Sequence, residues 1–325
     1  MASIPGRTSK IRRYYWREIA FETYKRFADR AEEAGLDTSG VWTEEARELH
    51  DVVGTEVLEE IKRQHEESPK YQYQEESSAE TIEKYAVEVV RLDATYGPKT
   101  QGRGVGILDG SDIVTAEEFA ARHYRREGWR TLFAESIPFH VLFGTFMWTL
   151  VQDDDDPMNR IVSFGSRSDY DGAREGVQIS TSMPEDFGTS GYAERRADAI
   201  AEHLGSGMEN DLEWLFDYSL ESSTDFREYL WAHRDEDIQR ARQLVTALPS
   251  DVTMRILRYL IGNYWGRFTG WPDLLIYDDD EFFFAEVKAS KDKLSEEQKR
   301  WIRDNSRDLH LPFKLIKIHR TGTAS

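Results

Sequence analysis

The chain of 325 residues contains no cysteine, which excludes disulfides, thiolate catalysis and cysteine metal sites and suits a reducing intracellular compartment. No apolar run approaches the roughly 20 residues of a membrane span, so no membrane partner is expected. The opening residues, 1–13, are basic but lack the apolar stretch of a secretory signal. Positive charge is in deficit: 61 Asp and Glu face 42 Lys and Arg, for a formal net charge of −19. That balance works against a broad nucleic-acid coat. It leaves two arrangements for any polyanion partner. One is a compact basic track in an acidic surface. The other is the carboxylate-dense exterior of a halophile, which the acidic runs at 153–156 and 278–280, Glu75-Glu76 and the low lysine usage would fit. In concentrated salt phosphate contacts weaken steeply, so close metal and stacking contacts would have to carry binding. Composition otherwise describes a soluble, cytoplasmic globular protein able to bury a sizeable core.

What is present concentrates near the end of the chain. Asp278-Asp279-Asp280-Glu281 separates two apolar runs, 274–277 and 282–285, in the manner of a β-hairpin. With Asp279 and Asp280 as loop residues, Asp278 faces Glu281 and Asp273 falls opposite Glu286. Opposed side chains lie roughly 4.5–5.5 Å apart at Cβ, where like charges repel, so a positive group is expected between them. Strand alternation puts Glu286 and Lys288 on one face and Val287 on the other. Phe282, Phe283, Phe284 and Ala285 make both faces of that strand apolar, which predicts a central strand, where charges are costly unless paired or coordinated. Two carboxylates and an amine converging on one point suit Mg²⁺ or Mn²⁺ and phosphodiester hydrolysis, with Lys288 orienting water or stabilising charge on phosphate. E-x-K alone is common; a strand-start Asp beside a surface Glu/Lys pair is the bland alternative.

The residues Gly270, Pro272, Asp273, Leu274, then Glu286-Val287-Lys288, then Asp292, Leu294, Ser295, Gln298 and Trp301 resemble, in order and spacing, the VRR-NUC branch of the PD-(D/E)XK nucleases. Upstream, Glu118-Phe119, His123 to Arg126 with Gly128, and Ala134-Glu135-Ser136 with the apolar stretch to Trp148 resemble the opening of the nuclease region of Fanconi-associated nucleases. Weaker landmarks are the stretch 184–187 and Arg195-Arg196. The resemblance implies a metal site of Glu135, Asp273, Glu286 and the Val287 backbone carbonyl, with Lys288 and Gln298 completing the catalytic set. It also implies an arginine close before the G-x-P-D, a place Arg267 fills only approximately as a phosphate contact.

Some of these residues can be weighed without the family. Ser136 is a good N-cap and Pro138 suits a first turn, so Glu135 is expected just before a helix running to about 150. Phe139, Val141, Leu142, Phe143, Phe146, Met147 and Leu150 leave that helix no polar face, which implies burial. An acid there can equally be complementing the helix dipole. Ser295-x-x-Gln298 fits a capping box, so Gln298 has a structural alternative to holding Lys288 or a metal-bound water. Arg125, Arg126 and Lys314 are the cations singled out as DNA contacts, alongside 10–16, where cations mix with aromatics, and Lys317, His319 and Arg320 of the last strand.

Along the chain, apolar stripes predict helices at 15–33, 43–62 and 79–92, together an N-terminal helical domain over 1–98. Five glycines and Pro98 between 96 and 110 read as a linker at 99–110. A nuclease region follows over 111–320: a helix from about 111 to 126, the Glu135 helix, a mostly helical insertion at about 153–262, and a catalytic core at 263–320 ending in a strand at 313–318. The expected fold class is an α-rich α/β protein: a helical domain plus a restriction-endonuclease-like α/β core with mixed strand pairing. The expected activity is a structure-selective DNA nuclease acting on branched, flapped or free-ended DNA, with a monomer favoured. A junction resolvase or restriction-like endonuclease is the alternative within nucleases, and a catalytically idle DNA-binding scaffold the alternative outside them.

Overall fold

The computed structural model describes residues 76–98, 105–166, 177–208, 210–290 and 292–323. The helices expected at 15–33 and 43–62, and the basic aromatic segment 10–16, lie outside the described residues.

A seven-stranded sheet organises the molecule, in the order β3-β2-β1-β9-β8-β7-β4. Its strands are β1 (Glu88–Pro98), β2 (Val105–Asp109), β3 (Asp112–Val114), β4 (Arg130–Phe133), β7 (Leu274–Tyr277), β8 (Phe282–Ala289) and β9 (Phe313–Thr323). β1, β9 and β8 run parallel at the centre, and antiparallel hairpins flank them on both sides. The all-apolar start of β8 thus belongs to a central strand, as its composition requires. A second, two-stranded sheet pairs β5 (Asn159–Gly165) with β6 (Gln178–Pro184).

Side-chain parity assigns each face of the large sheet to its own core. Val87, Val89, Phe284, Phe313 and Leu315 face the larger core, built with α3 (Ile137–Phe146) and the helices after it. Val90, Leu92, Phe283, Ala285, Val287, Ile316 and Ile318 face the smaller core under α2 (Ala116–Arg126). Between β6 and β7 come α5 (Ser190–Arg195), α6 (Ala197–Met208), α7 (Leu212–Leu220), α8 (Thr224–Tyr229), α9 (Asp235–Ala247) and α10 (Ser250–Gly262); α11 (Glu296–Asp304) lies between β8 and β9.

Several expectations are corrected. The helix expected at 79–92 is a short α1 (Ser78–Lys84), closed by Ala86 at φ +49°, followed by β1. Val89, Val90, Leu92, Ala94 and Tyr96 are β-branched or follow a two-residue period, and that period prevails. Because β1 lies between β9 and β2, residues 88–98 belong to the same sheet as β8, and within the glycine-rich stretch Val105–Asp109 form β2. The expected helix at 111–126 starts only at Ala116, after β3 and a Thr115 cap. The apolar helix breaks at Met147 into α3 and α4 (Trp148–Val151). The insertion holds the β5–β6 hairpin as well as helices.

The acidic run at 153–156 is not solely a solvated surface. Asp156 is 3% exposed; Arg195 and Arg196 both bind it, Arg196 also binds Asp153, and Arg195 grips Asp186 through two hydrogen bonds. Asp153 and Asp156 thus answer partly exposed guanidinium groups, while Asp154 and Asp155 are exposed, so only half of the run is a solvated acidic surface.

Candidate active site

The hairpin has the register its sequence implies. Leu274 pairs with Ala285 and Tyr277 with Phe282, and the Asp278 amide donates to the Glu281 carbonyl at 3.0 Å. Continuing the ladder by one step sets Asp273 opposite Glu286. The Asp273 side chain reaches across the strand end, where Oδ2 accepts the Val287 amide hydrogen at 2.8 Å. Glu286 is 2% exposed, on the larger-core face. Its Oε1 accepts from Lys288 Nζ at 2.8 Å and from the Gln298 side-chain amide. Its Oε2 is buried with no hydrogen-bond donor.

Two acids beside one ammonium leave negative charge uncompensated in a poorly solvated place. Burial, and then the neighbouring Asp273, push the Glu286 carboxyl up to about 8. Burial pushes Asp273 up to about 6, with the charges of Glu117 and Glu135 adding to the effect against the Val287 amide and Lys288. A buried carboxylate pair with an undonated oxygen is the donor chemistry a hard divalent cation takes. Among the described residues no group of three His, Cys, Asp or Glu is arranged around one point. The assembled centre is therefore Asp273, Glu286, Lys288 and Gln298.

Gln298 forms the capping box expected of it, and its side chain reaches Glu286 where Lys288 or a metal-bound water was expected. Its backbone amide donates to Ser295 Oγ and its side-chain oxygen accepts the Ser295 amide, closing a capping box on α11. The amide nitrogen left over holds Glu286 and not Lys288. Gly270 and Trp271, just ahead of Pro272-Asp273, fix this geometry. Trp271, 2% exposed, stacks on Phe139 of α3 at 4.1 Å between centroids and lies 6.0 Å from Trp301 of α11. Gly270 has φ +92°, and a Cβ there would lie 2.3 Å from the Glu297 carbonyl oxygen, so only glycine lets the chain pass the start of α11.

Glu135 is exposed at the entry to α3, and its preceding residue is tied to the site: the Ala134 amide donates to the Asp273 carbonyl at 2.9 Å. Ser136 does not cap α3 with its side chain, contrary to expectation. It has φ +42° and ψ −63°, and the Ile137 amide closes back on the Glu135 carbonyl at 2.6 Å, a strained γ-turn. Glu135 thus stands close enough to act on Asp273 electrostatically, outside the hydrogen-bonded set.

The singled-out cations are engaged elsewhere. Arg125 pairs with Glu118 and Thr131, and Arg126 with Asp109. Arg267 donates to the Tyr259 carbonyl with its guanidinium 4.2 Å from that ring centroid. Lys314 binds Glu88 at 3.1 Å and covers Phe283. Its register partner is Ala285, so it lies on the sheet face opposite Glu286. Each is neutralised or capping a backbone group, for which charge counting along a sequence gives no signal.

Glu117 was missed. It shares the buried stripe of α2 with Ala120, Ala121 and Tyr124, three, four and seven residues on, and its charge acts on Asp273. An acid on an otherwise buried stripe was the available signal.

The family model for the VRR-NUC domain matches residues 210–317, which include Asp273, Glu286, Lys288 and Gln298 but not Glu135. Human Fanconi-associated nuclease 1 is 25% identical over 197 residues, covering 58% of this chain and 18% of that protein. The Arabidopsis thaliana homologue is 25% identical over 197 residues (57% and 20%), and that of Schizosaccharomyces pombe 24% over 198 residues (59% and 25%). The chain spans about a fifth of the length of the curated relatives it matches. Among solved structures, paFAN1 bound to 1-nucleotide 5′-flap DNA with a gap aligns with a TM-score of 0.48 at 17% identity, covering 80% of this chain and 45% of that one. No helix among the described residues is long and apolar enough to cross a membrane. Residues 210–317 thus match the VRR-NUC domain, and the chain is similar over more than half its length to the Fanconi-associated nucleases.

Proposed function

We propose that this protein is a divalent-metal-dependent deoxyribonuclease that hydrolyses phosphodiester bonds in flapped or branched DNA. The observation that supports it most is the buried Glu286, opposite Asp273, with one oxygen on Lys288 and Gln298 and the other without a donor. A structural ion pair would match its charges; here two acids share one ammonium, which costs stability unless a proton is retained or a cation is bound.

Asp273, Glu286 and the Val287 carbonyl would hold Mg²⁺ or Mn²⁺, with Glu135 as a further acid at the rim. Such an ion, when bound, polarises the scissile phosphate and acidifies a water. Gln298 fixes the rotamer of Glu286 from a capped helix. Lys288 places an ammonium at the edge of the pair, where it can stabilise charge on the phosphate or orient the attacking water. The selectivity for flaps and branches comes from the resemblance to Fanconi-associated nucleases. The chain's own helices between β6 and β7 favour a monomer on an asymmetric substrate over a symmetric resolvase. A catalytically idle scaffold would be expected to lack one of the acids, and none is missing.

The test is incubation of the purified chain with labelled single-stranded, duplex, 5′-flap, 3′-flap and four-way DNA, with Mn²⁺ and with EDTA. Metal-dependent cutting of flaps ahead of intact duplex is expected. Preferred symmetric cutting of four-way junctions would favour the resolvase reading, and binding without cutting the scaffold.

A further inference from the structure

The register of the central strands carries the inference. Lys288 of β8 pairs with Lys317 of β9, and Lys317 pairs with Arg91 of β1. Paired residues of neighbouring strands share a face, so these three cations form one row beginning at the catalytic lysine. At about 4.8 Å between strands the row spans about 10 Å. The parity is that of Glu286, opposite to the face that takes Lys314.

The row differs from its neighbours on the same face. Phe284, Phe313 and Val87 form an apolar row joined to the larger core, where Trp301 of α11 packs on Phe313 at 5.1 Å. Next come Glu286, Leu315 and Val89. The sheet then turns cationic as burial ends: Lys288 and Lys317 are half-buried and Arg91 is exposed. Asp93, in register with His319, bounds the row. Lys317 and Arg91 make no ion pair with any described residue, whereas Arg122, Arg125, Arg126, Arg195, Arg196 and Lys314 all do. What sets these two cations apart from an isolated exposed one such as Arg258 is that they adjoin each other in register and lie in line with the site, in a chain of net charge −19.

We propose that Lys288, Lys317 and Arg91 form a phosphate track that seats the backbone of one DNA strand beside the scissile bond. Successive phosphates of one strand are separated by more than the axial rise of about 3.4 Å because the backbone also winds about the axis, so a row of this length meets a short run of about two phosphates. Contacts are to phosphate alone, which makes the track indifferent to sequence. The proposal rests on the nuclease reading for its substrate, and it puts Lys317 and Arg91 in the role of positioning residues. The track also answers the acidic composition: a short basic line leading to the site substitutes for a basic coat.

The test uses the full chain and two readouts. Binding of a fluorescein-labelled 5′-flap DNA is followed by anisotropy in Ca²⁺ across a salt series, for wild type, Arg91→Gln, Lys317→Gln and the double variant. Arg258→Gln, an exposed cation of α10, is the control. Each track variant should weaken binding about three- to tenfold near 0.1 M salt and lower the log–log salt slope by about 0.7 to 0.9, while the control stays at wild type. Cleavage in Mn²⁺ should show raised KM with kcat within about twofold, the pattern of lost uniform binding. Unchanged affinity and slope in the double variant, or an equal loss in Arg258→Gln, overturns the track. Failure of the nuclease reading looks different: wild type cuts no DNA, while the anisotropy arm, which needs no turnover, still decides the track.

Discussion

Asp273 stands one step beyond the last paired residues of the β7–β8 hairpin, opposite Glu286, and takes the amide hydrogen of Val287 on its own carboxylate. The side chain replaces the ladder hydrogen bond that a continuing strand would make. It therefore ends the hairpin and holds two acids together at once.

The pair should make metal-free protein less stable as pH rises. The folded Glu286 carboxyl sits near 8, above its ordinary 4.5, so the folded state binds more protons than the unfolded state between those values. Its contribution is fully present below about 4.5 and is lost as pH climbs through about 8. Thermal melts in EDTA should show Tm falling across that window, Glu286→Gln should flatten the fall, and Mn²⁺ should raise wild-type Tm most at the alkaline end. A wild-type Tm in EDTA that rises toward pH 8 relative to Glu286→Gln would contradict the assignment.

Gln298 can be separated into its two duties. Ser295→Ala removes one capping bond and should cost about 1 kcal/mol of stability with cleavage nearly intact. Gln298→Ala loses the cap and also frees Glu286, so its turnover should fall well beyond what the matched loss of stability explains. Equal turnover in the two variants would make Gln298 a helix cap only.

Gly270 allows a sharp backbone test. Alanine there must hold a left-handed φ and meet the Glu297 carbonyl, which should cost about 1–3 kcal/mol and displace the start of α11. Because α11 carries Gln298, Gly270→Ala should impair Mn²⁺ binding even below its melting transition. Wild-type stability would refute the close approach.

The two outer acids should behave differently. Glu135→Gln is expected to lower metal affinity or turnover by about ten- to a hundredfold, the scale for groups that support a metal site. Glu117→Gln removes a charge that raises Asp273, so it should move the acid limb of the pH–rate profile to lower pH with the plateau retained. An unchanged acid limb would return Glu117 to a helix first-turn role.

Legibility in the sequence followed the range of the physics. The hairpin register, the central place of β8 and the Ser295 cap depend on neighbours a few residues apart, and a two-residue period or a capping pattern states them. β1 was misread because Val89, Val90 and Leu92 satisfy a helical stripe for one turn as well as a strand, and its partner β9 lies more than 200 positions away. The same distance hid the basic row: Lys317 and Lys314 are alike until register puts one on the face of Glu286 and the other behind it. Ion-paired arginines such as Arg126 looked free because Asp109 is close only after β2 and α2 pack.

The central claim is that Asp273 and Glu286 use a divalent ion to cut DNA. It is tested most directly by single-turnover cleavage of a labelled 5′-flap substrate by wild type and Asp273→Asn, each in Mn²⁺ and in EDTA. Cutting by wild type in Mn²⁺ alone, with the variant inert although folded and still binding DNA, is the predicted result. Wild-type cutting undiminished in EDTA, or by folded Asp273→Asn at the wild-type rate, would contradict it.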